Sequence, residues 1–287
     1  MKVFHYIKPS NLADAISALR EHDDAFLLSG GTDLLVGIKN KLLEPKCIID
    51  LKGIPSLNVF KYESEFRFGS LLTIRDVEVS KAIREKIPVL CQAASCLGSV
   101  QIRNKATVGG NLCNASPAAD MSTIFLAMDA DVKVVSQEGE KVIELEHFFV
   151  GPNSTILGRN DILTEIIVSK DVAQFKGTYM KYGPRKAMDI GVVNIAILLD
   201  ADFKSGFCKK ISIALGSVAP TPIRAKKAEY VLSGNTLSPQ IISEAAEVAS
   251  SETDPISDLR ASAGYRKELV RTLVAAGIKK ILESNET

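Results

Sequence analysis

Leu27-Leu28-Ser29-Gly30-Gly31-Thr32-Asp33-Leu34-Leu35 is the stretch on which the fold turns. Apolar residues 25–28 read as a short strand. Two glycines then turn the chain, and Thr32 or Asp33 opens a helix that runs to about Asn40. Without a Cβ, a glycine backbone reaches conformations closed to other residues and lets another group come close. Unpaired N–H groups at a helix start favour an anion such as phosphate. A plain tight turn would use the same residues. Upstream, Ser10 or Asn11 caps a helix over 11–21, whose Leu12, Ala15, Ile16 and Leu19 share one face. Downstream, 47–51 is another apolar strand, so the chain up to Gly53 forms a small βα unit.

A second glycine pair has a similar small-polar setting. It lies in Gln101-Ile102-Arg103-Asn104-Lys105-Ala106-Thr107-Val108-Gly109-Gly110-Asn111-Leu112-Cys113-Asn114-Ala115-Ser116-Pro117-Ala118-Ala119-Asp120. This stretch is poor in bulky hydrophobics and long for a bare connection. Long loops in compact domains are usually functional or disordered. Thr107 and Asn111 offer donors to a phosphate, and Arg103 and Lys105 add positive charge. Asp120 accepts hydrogen bonds only, which suits a ribose hydroxyl. Neither glycine pair forms a G-x-G-x-x-G or a Walker A loop, so both of those readings lose their key support. A nucleotide clamped between two glycine turns from separate subdomains remains open.

Outward from these turns, a hairpin is expected over 57–69. Thr73 caps a helix over 74–81, and 88–97 forms another. Residues 98–120 read as loop and 121–128 as helix, followed by strands over 130–136, 140–145 and 161–169. Beyond 171–177 the pattern changes. Strands over 177–181, 191–201 and 208–218 predict an antiparallel sheet, and helices follow over 224–232, 238–252 and 264–284. Pro239 suits a helix start. Strands followed by helices indicate an α+β C-terminal domain.

A length of 287 residues allows about two domains. Hydrophobic residues make up 46% and charged residues 24%, which is ordinary for a soluble globular chain. A net charge of +1 provides no field for nucleic acid or an anionic membrane. The longest nearly apolar stretch, 192–199, contains Asn194 and is far short of the ~20 residues that span a bilayer. The opening MKVFHYIKPS lacks the apolar segment of a signal peptide, so a cytoplasmic location is expected. Cys47, Cys91, Cys96, Cys113 and Cys208 are scattered and form no C-x-x-C pair. They argue against a disulfide framework, a zinc site or an iron–sulfur cluster held by this chain alone.

Ser29-Gly30-Gly31-Thr32-Asp33-Leu34 and Ala106-Thr107-Val108-Gly109-Gly110-Asn111 occur with Gln101-Ile102-Arg103-Asn104 ahead of the second and Ala118-Ala119-Asp120 behind it. In order, spacing and flanks they resemble the flavin subunit of the molybdenum hydroxylases. That group includes the FAD subunits of bacterial xanthine dehydrogenase, carbon monoxide dehydrogenase and nicotinate dehydrogenase. The resemblance runs over nearly the whole chain. Lys181-Tyr182-Gly183-Pro184-Arg185 with Asp189-Ile190, and Ala219-Pro220-Thr221-Pro222-Ile223-Arg224, resemble the family's C-terminal domain.

The resemblance implies an α+β protein. A vanillyl-alcohol-oxidase-type (PCMH-type) FAD-binding domain would span 1–175, in two α/β subdomains of about 1–55 and 56–175. A small α+β domain of the CO dehydrogenase flavoprotein type would take 176–287. FAD would lie extended between the subdomains. By the same resemblance, Leu28 through Leu34 and Ala106 through Asn111 would hold the pyrophosphate and nearby groups. Asp120 would bind a ribose or ribityl hydroxyl, and Ile162 and Lys181 would contact the flavin end. A cation there favours the reduced anion; Lys181 is either that cation or a solvated strand lysine. Leu97 stands where some members carry an aromatic residue against the flavin ring. Cys113 is either near the flavin or a small filler. His5, His22 and His147 lie outside both motifs, so non-covalent FAD is expected.

No catalytic side chain and no metal ligand is assigned to this chain. Molybdopterin is expected on a large partner subunit and [2Fe-2S] clusters on a small one, with electrons leaving to NAD+ or another acceptor. Two other readings stay open. One is a stand-alone flavin oxidase or reductase of the same fold. The other is a regulatory module whose turns bind a different phosphate ligand.

Overall fold

A computed structural model describes residues 3–185 and 188–284. Its first lobe runs β1 (His5–Ile7), α1 (Leu12–Glu21), β2 (Ala25–Leu28), α2 (Leu34–Lys39) and β3 (Cys47–Asp50). The three strands form a parallel sheet in the order β1-β3-β2. The central strand is buried along its whole length, because helices cover both faces. Cys47 and Ile49 share a core with Ala15 and Leu19 of α1, while Ile48 joins Leu28 and Ile38 on the other side. An apolar run without alternation is what such a strand needs. Asn11 caps α1 by accepting from the Asp14 N–H. Strand β1 escapes the sequence reading because three residues are too few to show a period.

The second lobe opens with β4 (Phe60–Tyr62) and β5 (Glu65–Gly69). Six helices follow: α3 (Ile74–Val79), α4 (Lys81–Lys86), α5 (Pro88–Ser95), α6 (Val100–Arg103), α7 (Val108–Cys113) and α8 (Asp120–Ala127). Strands β6 (Asp131–Ser136), β7 (Gly139–Glu144), β8 (Phe149–Gly151), β9 (Ser154–Thr155) and β10 (Ile162–Ser169) complete it. Its main sheet is antiparallel, in the order β4-β5-β10-β6-β7. The helix expected over 74–81 ends at Val79. Ser80 leaves the helical path there and caps α4, whereas Thr73 and Asp76 form a capping box on α3. Residues 98–120 were expected as loop, yet they hold α6 and α7. Ser99 and Thr107, small polar residues that look loop-like, are the side-chain caps of these two helices.

The C-terminal part has an antiparallel sheet of β11 (Lys176–Tyr182), β12 (Val193–Asp202), β13 (Phe207–Gly216) and β14 (Ile223–Arg224), in that order. Helices α9 (Lys226–Leu232), α10 (Pro239–Ser251) and α11 (Ala263–Glu283) cover one face, packing on Ile195, Ile197, Ile213 and Leu215. The other face lies on the second lobe, where Tyr179, Ala196, Leu198 and Ala214 join its core. Burial on both faces explains the apolar run Ile195–Leu199 of β12. Arg224 pins this junction. It bonds Glu229 at 2.7 Å and Ser212 at 2.9 Å, and pairs with Asp129 beyond α8. Among the described residues, no helix is long and apolar enough to cross a membrane.

Candidate functional site

The two glycine turns meet. Gly31 adopts φ +76°, a left-handed conformation that favours glycine. Gly30 has its bare face against the second lobe, where a Cβ would stand 2.1 Å from the Lys105 carbonyl oxygen. The Thr107 hydroxyl donates to Ser29 Oγ at 3.1 Å and accepts from the Gly110 N–H at 3.1 Å. Lys52 reaches the first turn from behind. Its Nζ donates to the Ser29 carbonyl at 2.9 Å and pairs with Asp50 at 2.8 Å. Thus the Ser29 carbonyl is held, while the N–H groups of Gly30, Gly31 and Thr32 make no hydrogen bond to another described residue. Three open donors in one turn suit an anion.

Around the junction lies a cleft of about 890 Å³. That is the size of a cofactor pocket. Residues 29–34, 106, 107, 109–111, 120, 162 and 181 all line it. The structure therefore brings together most of the positions singled out in the sequence. Leu28 and Val108 do not join them; both turn into the core. Ile162 is fully buried and shares the core of the first lobe while forming cleft wall. Leu97, Ile102 and Ile190 are among the apolar residues of its lining. Ser70 was missed in the sequence. Ser70 lines the cleft, and its buried Oγ has no hydrogen-bond partner among the described residues. The Cys113 thiol opens into the cleft, yet the protein massed around it pushes it up to about 12. None of His5, His22 and His147 lines the cleft.

One end of the cleft is charged. Asp120 starts α8 and is 5% exposed. Its Oδ1 accepts from the Tyr179 hydroxyl at 2.6 Å and its Oδ2 from Lys181 Nζ at 2.9 Å. Lys181 also donates to the Cys96 carbonyl at 3.2 Å. It is therefore no solvated strand lysine but half of a sheltered ion pair. Burial raises the Asp120 carboxyl above the ordinary carboxylate range, against the opposing pull of Lys181, Tyr179 and Asn194. A ligand hydroxyl at Asp120 would share the carboxylate with these donors.

Arg103 departs from its expected part. Its guanidinium is buried and forked onto Glu78, at 2.8 and 3.1 Å, and it donates to the Leu97 carbonyl at 3.0 Å. With its charge matched by Glu78, it fixes the turn carrying Leu97 rather than offering a free cation to a phosphate. Lys105 contributes its carbonyl to the contact with Gly30, and its side chain is exposed.

Comparison with known proteins places this geometry. Residues 2–170 match the FAD binding domain in molybdopterin dehydrogenase, and residues 178–281 match the CO dehydrogenase flavoprotein C-terminal domain. The chain belongs to the molybdopterin-dehydrogenase flavoprotein family. It is 31% identical to the nicotine 6-hydroxylase medium subunit of Paenarthrobacter nicotinovorans, over 97% of this chain and 99% of that one. It is also 31% identical to the xanthine dehydrogenase FAD-binding subunit of Escherichia coli, over 93% and 92%. The fold superposes on the carbon monoxide dehydrogenase of Hydrogenophaga pseudoflava with a TM-score of 0.94 at 28% identity, covering 98% of both chains. This family member is thus an oxidoreductase flavoprotein of the medium-subunit type, with FAD as its cofactor and the α+β architecture of that group.

The donor set fits FAD on structural grounds alone. N–H groups at 30–32 without a partner among the described residues suit the pyrophosphate, and the apolar lining residues Leu97, Ile102 and Ile190 suit a ring system.

Proposed function

We propose that this chain receives electrons from [2Fe-2S] clusters on a small partner subunit and passes them, through FAD held in the cleft, to NAD+ or another acceptor. A molybdopterin-binding large subunit would oxidise the substrate. The observation that carries the reading is the cleft itself: both glycine turns and the Asp120–Lys181 pair open onto one space large enough for the cofactor. When bound, FAD supplies the two-electron redox chemistry. The chain's own residues bind and orient it. The turn at 30–32 holds the pyrophosphate, Thr32, Asp33, Leu34 and Asn111 border it, and Asp120 takes a ribose or ribityl hydroxyl. Ile162 and Lys181 flank the flavin end, and Leu97 shields the ring. Residues 1–175 act as the FAD-binding unit and 176–287 as the domain that brings Lys181 to it.

This reading calls for no acid or base from this chain at the hydroxylated substrate, and sets the work in the cytoplasm. Purified chain mixed with FAD should leave gel filtration as an equimolar yellow complex. A colourless chain overturns the reading. Purification from its source should bring down iron and molybdenum with two further chains, and an active lone chain would overturn the electron route.

A further inference from the structure

Behind the Asp120–Lys181 pair lies a chain of polar groups that does not touch the cleft. Thr123 Oγ1 donates to the Ala119 carbonyl at 3.2 Å and meets Asn194 Oδ1 at 3.4 Å. Asn194 Nδ2 donates to the Tyr179 hydroxyl at 3.0 Å. The Tyr179 hydroxyl then donates to Asp120. Asn194 is fully buried in an otherwise apolar stretch of β12, and Tyr179 is 2% exposed. A buried amide there costs stability unless its bonds are met. The register pairs Asn194 with Gly216, where a Cβ would stand 1.9 Å from Asn194 Oδ1. The fold therefore keeps a bare position opposite the amide. The direction of the bonds matters as well. Because the amide donates to Tyr179, the hydroxyl's own proton is left for Asp120.

We propose that Tyr179 and Asn194 are positioning residues that hold the Asp120–Lys181 pair ionised at the cleft wall, and so set the field that FAD meets. The proposal rests on the cleft being the FAD site. The groups facing Asp120 are Tyr179 and Lys181 from β11, Asn194 from β12, and Cys96 just beyond α5. Asp120 has a folded pKa raised above its unfolded value, first by burial. Its buried charge therefore costs stability as pH rises from the unfolded pKa through the folded one. Losing the Tyr179 donor raises that folded pKa further. Below it Asp120 is neutral, the Lys181 charge stands uncompensated, and negative charge in the cleft is favoured.

Two readouts test this on the 287-residue chain. In the FAD-free protein, the infrared carbonyl band of protonated Asp120, assigned with Asp120→Asn, is followed against pH. Tyr179→Phe should raise the proton affinity of Asp120 about tenfold. In the FAD-bound protein, the same variant should move the flavin midpoint potential upward on the acidic side, with its pH inflection displaced to match. An infrared titration that overlays the wild type, in a folded variant, overturns the proposal. A displaced titration with an unchanged potential overturns its link to the flavin. Failure to bind FAD at all overturns the cofactor reading instead, while the infrared result still decides the hydrogen-bond claim. If Tyr179→Phe does not fold, Asn194→Leu, close to isosteric, should displace both readouts in the same direction by less, and no displacement overturns the proposal.

Discussion

Two turns carry the same glycine dipeptide and play different parts. At Gly30-Gly31 the chain is non-helical, Gly31 has a positive φ, and three consecutive N–H groups are unengaged within the described residues. At Gly109-Gly110 the chain is already inside α7, and each donor has a partner. Val108 bonds the Leu72 carbonyl, Gly109 the Ser70 carbonyl and Gly110 the Thr107 hydroxyl, all within 3.1 Å. The first turn offers donors. The second is a wedge, whose missing side chain lets α7 rest on Ser70. A glycine pair permits a close approach, and tertiary packing decides whether a ligand or the chain itself makes it. Any share of the second turn in binding falls to side chains such as Asn111.

This contrast is most exposed at Gly30. A methyl group there would press on the Lys105 carbonyl and on Ala106 Cα at 2.9 Å, backbone on a neighbouring lobe that cannot swing aside. Gly30→Ala should therefore pry the turns apart. FAD affinity should fall about 100-fold, ~2.7 kcal/mol, in a flavin fluorescence titration. An unchanged Kd would mean that the apposed turns are not what binds. Gly109→Ala should act in the opposite order, on the fold before the ligand. Its Cβ would lie 2.6 Å from Ser70 Cβ and 2.8 Å from the Ser70 carbonyl oxygen. Overpacking of this kind costs about 2 kcal/mol, readable as a lower denaturation midpoint in the FAD-free chain. If stability holds and only FAD affinity drops, the wedge is instead a ligand contact.

The sequence tells these parts apart only in places. The strand–turn–helix at 25–34 is legible because its signals are local: an apolar run, two glycines and a change of period. The long elements beyond 176 are legible for the same reason, since long apolar strands and helix stripes survive without context; the two-residue β14 is too short to show a period, so the helix expected over 224–232 begins only at Lys226. The helices at 100–103 and 108–113 are hidden, because small polar residues mark both a loop and a helix cap. Arg103 shows why charge alone misleads. Its partner, Glu78, is distant in sequence, and burial turns a candidate phosphate ligand into a strut. Ser70 and Asn194 leave no local signal at all. One is a serine after a strand, the other a polar interruption in an apolar run, and only the cleft and the facing Gly216 give them meaning.

The smallest expected effects lie at the hydrogen bond that joins the two turns. Thr107 serves two partners with one hydroxyl, capping α7 through Gly110 and bridging the lobes to Ser29. Thr107→Val removes both and leaves the Gly110 N–H without its cap. It should cost about 1 kcal/mol in chemical denaturation, the usual cost of a lost cap. Ser29→Ala removes only the bridge and leaves the cap intact, so it should cost a few tenths of that figure. A double-mutant cycle then isolates the bridge, with an expected coupling no larger than the Ser29→Ala cost, about 0.3 kcal/mol. If the two single costs are equal, the hydroxyl acts mainly between the lobes, and the second turn is less a self-contained wedge than half of a clasp. If the coupling vanishes while the Thr107→Val cost remains, the turns are held together by the backbone contact at Gly30 alone.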